Sequence, residues 1–186
     1  MRIIAGRAKG YKLISPKNLD TRPTSNRVKE SIFNIIQGKI YNKTVIDLFS
    51  GTGNLGIEAL SRDAKMVYFV DKSRNSVNII KKNLDNTNFL TRAEIILDDA
   101  VTAIGKLGQR NVQADIIFID PPYNKGLGEI SIEYITKHKL LNSSGIIVVE
   151  HDKHEQMPDE IHGTLVFRRK DYGNTSVSFY RQKEEV

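Results

Sequence analysis

Asp120-Pro121-Pro122-Tyr123 is the segment whose residue types point most directly to a reaction. An exocyclic amine on a nucleic-acid base is a poor nucleophile because its lone pair is delocalised into the ring. The Asp120 carboxylate and the Pro121 carbonyl can each accept one N–H of such an amine, which frees the lone pair to attack a methyl group. Prolines would hold these acceptors in place, and Tyr123 offers a ring on which an unstacked base can lie. Alone, the four residues also fit a surface turn.

A glycine-rich segment, residues 47–56, follows an apolar run and contains Gly51, Gly53 and Gly56. Glycines let the backbone approach a ligand closely, and we expect Phe49 to shape the same turn. Asp71 stands 20 residues after Gly51 at the end of the next apolar run. A carboxylate at that offset can accept both hydroxyls of a ribose. The pair of segments predicts a nucleoside ligand.

Two classes of nucleoside ligand compete for this turn. The spacing of its three glycines matches the dinucleotide fingerprint, so a nicotinamide-dependent oxidoreductase is one alternative. Asp47, just before the turn, is poorly placed for a pyrophosphate but well placed for a cationic methionine moiety. The chain also offers no substrate domain after the predicted sheet. These observations favour S-adenosylmethionine.

The elements that must position these segments alternate between apolar strands and helical stretches. We predict helices over 26–37, 54–62 and 74–85, and strands over 45–49, 66–70, 93–97, 115–119, 145–150, 164–170 and 175–181. Continuous Val/Ile-rich strands between helices are typical of a parallel sheet covered on both faces. The last two strands, joined by a short turn, predict an antiparallel hairpin. The fold class is therefore α/β: a Rossmann-like, seven-stranded, mostly parallel sheet closed by a C-terminal hairpin.

Positive charge is concentrated at the start of the chain. The formal net charge is +6, yet residues 1–43 alone carry ten Lys and Arg against two acidic residues. A segregated basic block is the electrostatic footprint of a polyanion-binding surface, although a solvated face has the same composition. Residues 2–14 predict a small hairpin that precedes the first helix. We expect 1–43 to be a basic extension that contacts RNA and packs on a catalytic domain over 44–186.

Most of the chain resembles the bacterial 16S ribosomal RNA (guanine-N2-)-methyltransferase family of class I S-adenosylmethionine-dependent enzymes. The resemblance rests on seven segments in order: 2–6, 20–24, 27–30, 47–60, 120–123, 149–151 and 172–176. The Thr-Arg-Pro run within 20–24 is the more specific match, because Asp-Pro-Pro-Tyr is shared with adenine-N6 methyltransferases. The resemblance implies methyl transfer to the 2-amino group of a guanine in small-subunit ribosomal RNA or its particle. It further implies that Asp99 meets the adenine amino group of the cofactor and that Ala100 leaves room for the adenine ring.

Further expectations complete this interpretation. The basic block should supply RNA contacts, for which we name Arg2, Arg7, Lys9, Lys12 and Arg22. The chain has no cysteine, and its histidines lack ligand-like spacing with acids, so we expect no metal. Without an apolar run long enough for a membrane span or signal peptide, we expect a cytoplasmic protein. An adenine-N6 methyltransferase acting on DNA or RNA, and an RNA-binding module without turnover, remain alternatives.

Overall fold

Strands rich in valine and isoleucine form the centre of one eight-stranded sheet in the computed structural model, which describes residues 1–16, 26–123 and 125–183. The strands are β1 Thr44–Leu48, β2 Met66–Asp71, β3 Ala93–Leu97, β4 Ala114–Ile119, β5 Leu141–Asp152, β6 Glu160–Ile161, β7 Thr164–Tyr172 and β8 Thr175–Gln182. The helices are α1 Asn26–Ile35, α2 Asn54–Ser61, α3 Arg74–Asn86, α4 Ala100–Gln109 and α5 Leu127–Lys137. No helix in the described ranges has the length and apolar character that a bilayer crossing requires.

The spatial order of the strands is β3-β2-β1-β4-β5-β8-β7-β6. Strands β1 to β5 pair in parallel, whereas β8 joins β5 and β7 in antiparallel fashion. All seven predicted strands are present, and the mostly parallel α/β architecture is confirmed. The eighth strand, β6, has two residues and pairs with the start of β7. Chain order reverses between β1 and β4, and ligands of such sheets bind where the strands beside that reversal end.

The sheet separates two apolar cores. One face packs against α1, α2 and α3 through residues such as Phe33, Leu60 and Leu84, and the other against α4 and α5 through Leu107 and Ile135. Side chains of a strand alternate between faces, so the continuous apolar strands feed both cores. This three-layer packing of helices on both faces of one sheet fixes the carboxyl ends of β1 to β4 along one rigid edge.

Residues 1–16, here called the N-terminal segment, lie along α2. Arg2 and Lys12 form a β-bridge, and Ile3 and Leu13 are buried in the core beneath α1–α3. At the C-terminal end of α2, the Arg7 amide donates to the Ser61 carbonyl at 2.8 Å. The packing of this segment therefore depends on backbone hydrogen bonds as well as on apolar contact.

Substitution of Gly6 tests how closely the segment is docked. Gly6 has φ +82°, and a Cβ added to it would lie 1.8 Å from the Ser61 carbonyl oxygen. Gly10 has nearly the same φ, +86°, but faces open space. We expect Gly10→Ala to cost about 1 kcal/mol of unfolding free energy from backbone strain alone. Gly6→Ala should cost about 1–3 kcal/mol more because it also overpacks the contact. Urea unfolding measures both, and equal losses would contradict the close docking.

A buried ion pair fastens the N-terminal segment to α1 and α2. Lys29 and Glu58 are both fully buried, with Nζ 3.2 Å from Oε2. Glu58 also accepts the amides of Ile4 at 2.8 Å and Ala5 at 3.1 Å. Burial lowers the pKa of Lys29, whereas the neighbouring Glu58 charge opposes that shift. Lys29 therefore serves the core, and its charge is not available to a polyanion although it counts toward the basic block.

Candidate functional site

Four loops meet along the carboxyl edge of the parallel strands. Leu48, the last residue of β1, pairs with Val70 on one side and with Ile119 on the other. Asp71 in turn pairs with Leu97. The turns that follow β1, β2, β3 and β4 are therefore neighbours, as the parallel arrangement requires. This edge brings the glycine-rich turn, Asp71, the loop that follows β3 and the segment 120–123 together.

The glycine-rich turn is held in an unusual backbone conformation. Phe49, Gly51 and Gly53 all have positive φ, at 60°, 56° and 78°. Such angles are uncommon for a residue with a side chain, so Phe49 is a strained position. The Ser50 hydroxyl bridges the turn to β2 by donating to the Asp47 carbonyl and accepting the Val70 amide. The turn is thus pinned on both sides before α2 begins.

Asp47 lies buried below this turn. Its Oδ2 accepts the Gly56 amide at 2.9 Å, and only 2% of the residue is exposed. Burial raises the pKa of Asp47 to about 7, although the hydrogen bond from Gly56 opposes the shift. A Cβ on Gly56 would come within 2.3 Å of the Phe69 ring and 3.0 Å of Asp47 Oδ2. Glycine at 56 is therefore required, because a side chain there would collide with the Phe69 ring and crowd the Asp47 carboxylate. A cation bound nearby would stabilise the ionised form of this buried carboxylate.

Asp71 links the ends of β1 and β2. Its Oδ2 accepts the Gly51 amide at 2.8 Å and its Oδ1 accepts the Ser73 amide at 2.8 Å. A carboxylate oxygen has two lone pairs, so each oxygen keeps capacity for a further donor such as a ribose hydroxyl. Asp71 is partly exposed, so solvent or a ligand can reach the residue.

Asp99 and Ala100 begin α4. The Asp99 side chain caps the helix by accepting the Thr102 amide at 3.0 Å, while the residue itself stays exposed. Hydrogen bonds from Thr102 lower the pKa of Asp99, so this carboxylate is ionised at neutral pH. Ala100 is 8% exposed, and its methyl group borders the apolar core of the α4 face. Both residues lie where an adenine site was expected, and their roles remain predictions.

The Asp120–Tyr123 segment leaves β4 beside the glycine-rich turn. Pro121 is buried and Pro122 is exposed. The Tyr123 hydroxyl donates to Glu150 Oε1 at 3.0 Å and lies 3.2 Å from the Thr175 hydroxyl. Burial, and then the Glu150 charge, raise the pKa of Tyr123, so the phenol stays protonated as a donor. These contacts hold the half-buried ring of Tyr123 at the carboxyl edge of the sheet.

Glu150 and Asn83 are positioning residues that the sequence did not single out for these roles. Asn83 is 1% exposed and donates to the carbonyls of Ile14, at 3.1 Å, and Thr52, at 3.0 Å. It also accepts the Ile14 amide at 2.8 Å. Asn83 therefore ties the N-terminal segment to the glycine-rich turn. The place of Glu150 at the end of the strand beside β4 is the signal that could have revealed its contact with Tyr123.

The cations named for RNA binding are spread along the N-terminal segment. Arg2, Arg7, Lys9 and Lys12 are exposed, and Arg22 lies outside the described residues. Arg7 forms an ion pair with Asp63 at 2.5 Å, beyond the C-terminal end of α2. A helix of eight residues is about 12 Å long, so the contacts of Arg7 with Ser61 and Asp63 lie about that far along α2 from the glycine-rich turn. The Lys29 ammonium donates both to the Arg2 carbonyl and to the Asn54 side chain at the start of α2. Arg2 therefore lies nearer than Arg7 to the carboxyl edge of the sheet.

Neither the acidic residues nor the histidines of the described ranges form a metal-ligand cluster, since no three His, Asp or Glu side chains lie together there. Buried His151 has Nε2 2.8 Å from the Ser178 hydroxyl and Nδ1 2.9 Å from the Asp152 carbonyl. Burial lowers the pKa of His151, which favours its neutral form. His151 therefore belongs to the packing between β5 and β8.

Comparison with known proteins gives matches along almost the whole chain. A family model described as Conserved hypothetical protein 95 matches residues 1–181. The protein YlbH of Bacillus subtilis is 35% identical over 183 residues, which cover 98% of this chain and 100% of that protein. Ribosomal RNA small subunit methyltransferase D of Haemophilus influenzae is 33% identical over 97% of this chain and 93% of that protein. The solved structure of yhhF from Escherichia coli is 28% identical, with a TM-score of 0.88 over 100% of this chain and 99% of that chain.

Proposed function

The chain belongs to the family described as Conserved hypothetical protein 95, and we propose that it is an S-adenosylmethionine-dependent ribosomal RNA methyltransferase. The acceptor is the 2-amino group of a guanine in small-subunit RNA. One observation carries the proposal: the Asp120–Tyr123 segment and the glycine-rich turn leave adjacent strands at the same edge of the sheet. The names of relatives from Haemophilus influenzae and Escherichia coli, Ribosomal RNA small subunit methyltransferase D, support the choice of substrate.

The residues of this edge fit S-adenosylmethionine. When bound, the cofactor supplies an electrophilic methyl group carried on a positively charged sulfur. Asp47, a buried carboxylate with its pKa raised to about 7, would be stabilised in its ionised form by that positive charge. Asp71 keeps acceptor capacity for the ribose hydroxyls, and Asp99 and Ala100 would hold the adenine. Phe49, Gly51 and Gly53 shape the backbone against which the ligand lies.

Asp120 and the Pro121 carbonyl orient the nucleophile. Each accepts one N–H of the guanine amine, which turns the nitrogen toward tetrahedral geometry and frees its lone pair. The Tyr123 ring, fixed through its hydroxyl to Glu150, supports the base by stacking. Positioning of this kind replaces acid–base catalysis, because the methylated amine can release its proton to water. A ribosomal RNA substrate agrees with the cytoplasmic location expected from the sequence.

Analysis of the methylated product tests the function as a whole. Small-subunit particles from cells that lack this protein, and the RNA extracted from them, are incubated with labelled S-adenosylmethionine and the purified enzyme. The RNA is then digested to nucleosides, and we expect the label in N2-methylguanosine. Label in N6-methyladenosine would instead favour the adenine-N6 alternative that Asp-Pro-Pro-Tyr leaves open. Incorporation into particles but not naked RNA would identify the assembled subunit as the substrate.

Cofactor choice is tested separately by thermal unfolding. S-adenosylmethionine or its demethylated product should raise the melting temperature, whereas NAD and NADP should leave it unchanged. A ligand at 100 times its dissociation constant stabilises the folded state by about 2.7 kcal/mol. Stabilisation by NAD alone would contradict the methyltransferase proposal, because the glycine-rich turn would then serve a dinucleotide.

A further inference from the structure

Strand β7 carries exposed cations on the same face of the sheet as α1. Arg168 pairs in register with Phe179, and Lys170 pairs with Val177. Both partners belong to the core beneath α1–α3. Directly opposed residues on antiparallel strands point to one face, so Arg168 and Lys170 project on that face. Arg181 of β8 pairs with Ile146 of the same core and is also exposed.

An aromatic ring lies among these cations. The register of β7 shifts between Val166 and Arg168, which leaves Phe167 as the extra residue of a bulge. Its ring is 41% exposed and packs at 6.1 Å on the buried ring of Phe179. The Arg181 guanidinium lies 6.0 Å from the centre of the Phe167 ring. An anchored, exposed aromatic ring beside cations is the composition of a platform for single-stranded nucleic acid.

The neighbouring cations separate into two groups. Arg169 bonds to Ser178 and to the Met157 carbonyl and pairs with Asp159 at 3.2 Å, so its charge is used within the fold. Arg168, Lys170 and Arg181 form no ion pair with any residue in 1–16, 26–123 or 125–183. A polyanion can therefore supply counter-charges that the described part of the chain does not.

The end of β7 that carries these residues lies near the Asp120–Tyr123 segment. The hydroxyl of Thr175, the first residue of β8, lies 3.2 Å from the Tyr123 hydroxyl. At about 3.3 Å per residue, Lys170 lies about 7 Å along β7 from Tyr172, and Arg168 about 13 Å. Nucleotides next to a base seated at Tyr123 can reach both cations.

We propose that Phe167, Arg168, Lys170 and Arg181, here called the basic edge, bind single-stranded substrate RNA beside the target nucleotide. Phosphates contact the three cations, and one base stacks on Phe167. The proposal rests on the proposed function, since it takes RNA as the substrate. A competing explanation is that the charges serve only to prevent pairing with another chain along the part of β7 that β6 does not pair with. That role is satisfied by charge of either sign, whereas RNA binding needs positive charge.

Charge reversal separates these explanations. The double variant Arg168→Glu with Lys170→Glu is titrated with a 16S ribosomal RNA transcript, and with small-subunit particles from cells lacking the protein, at several salt concentrations. We expect at least about tenfold weaker binding and a salt slope smaller by about 1.4–1.8, because each lost phosphate contact removes about 0.7–0.9. The matched control, Lys65→Glu with Lys139→Glu, makes the same charge change at exposed positions that precede β2 and β5, at the amino ends of the parallel strands and outside the basic block 1–43. It should bind within twofold of the parent.

The aromatic ring makes a distinct prediction within the same experiment. Phe167→Ala should weaken RNA binding by about tenfold through lost stacking while leaving the salt slope unchanged. Phe167→Tyr keeps a ring and should bind as the parent does, which guards against a simple folding defect. Parental affinity and slope for the reversed-charge variant would overturn the basic edge as an RNA surface. Failure of the parent itself to bind or methylate RNA would instead overturn the proposed function.

Discussion

Replacing Asp120 with alanine should lower the rate of methyl transfer by about 10²–10³-fold while leaving S-adenosylmethionine affinity within a few-fold of the parent. The carboxylate is proposed to act on the amine of the base, whereas the cofactor would be held by the turns that follow β1, β2 and β3. Single-turnover methylation of small-subunit particles measures the rate, and calorimetric titration measures cofactor affinity.

Two variants make this result specific to Asp120. Asp120→Asn keeps one neutral acceptor and should fall between the parent and the alanine variant. Asp85→Ala removes an exposed carboxylate from α3 and should leave the rate unchanged. An Asp120→Ala enzyme that turns over normally on its particle substrate would show that the amine acceptor has been misassigned. A loss of cofactor affinity equal to the loss of rate would place Asp120 in the cofactor site instead.

The strands and their edge could be predicted because their signals are local. Continuous Val/Ile runs mark buried parallel strands, and parallel pairing then forces Asp71, the glycine-rich turn and Asp120 to one edge whatever the helices do. Strand β5 was expected over 145–150 but extends over Leu141–Asp152. Its first residues, including Asn142 and two serines, favour turns in isolation, and pairing of Leu141 with Ala114 overrides that preference.

Buried polar contacts could not be predicted in the same way. Asn83 and Glu58 have the residue types of a solvated helix face. Only the folded chain shows that their side chains accept hydrogen bonds from backbone amides of the N-terminal segment. Lys29 did carry a signal, since it stands three and four residues before Ile32 and Phe33 and so lies on the apolar side of α1. A partner for a lysine on such a stripe lies far away in sequence, which is why Glu58 could not be named.

Asp47→Asn should stabilise the ligand-free protein above pH 7 and weaken cofactor binding at the same pH. The folded-state pKa of Asp47 is raised from 3.8 to about 7, chiefly by burial. The folded state therefore holds this proton more tightly than the unfolded chain does. Stability from Asp47 is fully present below pH 3.8, is lost as pH rises toward 7, and stays lost above it. Each tenfold change in proton affinity is worth 1.36 kcal/mol, so the loss approaches about 4 kcal/mol as an upper bound.

The difference in unfolding free energy between variant and parent isolates this single group. Asparagine can still accept the Gly56 amide but does not titrate, so the difference should grow from pH 4 to pH 7 and then level off, as followed by urea unfolding. Cofactor affinity supplies the opposite sign. A bound cation favours the ionised carboxylate, so parental affinity should rise with pH up to about 7, while that of Asp47→Asn stays flat and weaker. A pH-independent stability difference would mean that folding does not raise the pKa of Asp47. Unchanged cofactor affinity would remove Asp47 from the methionine end of the site.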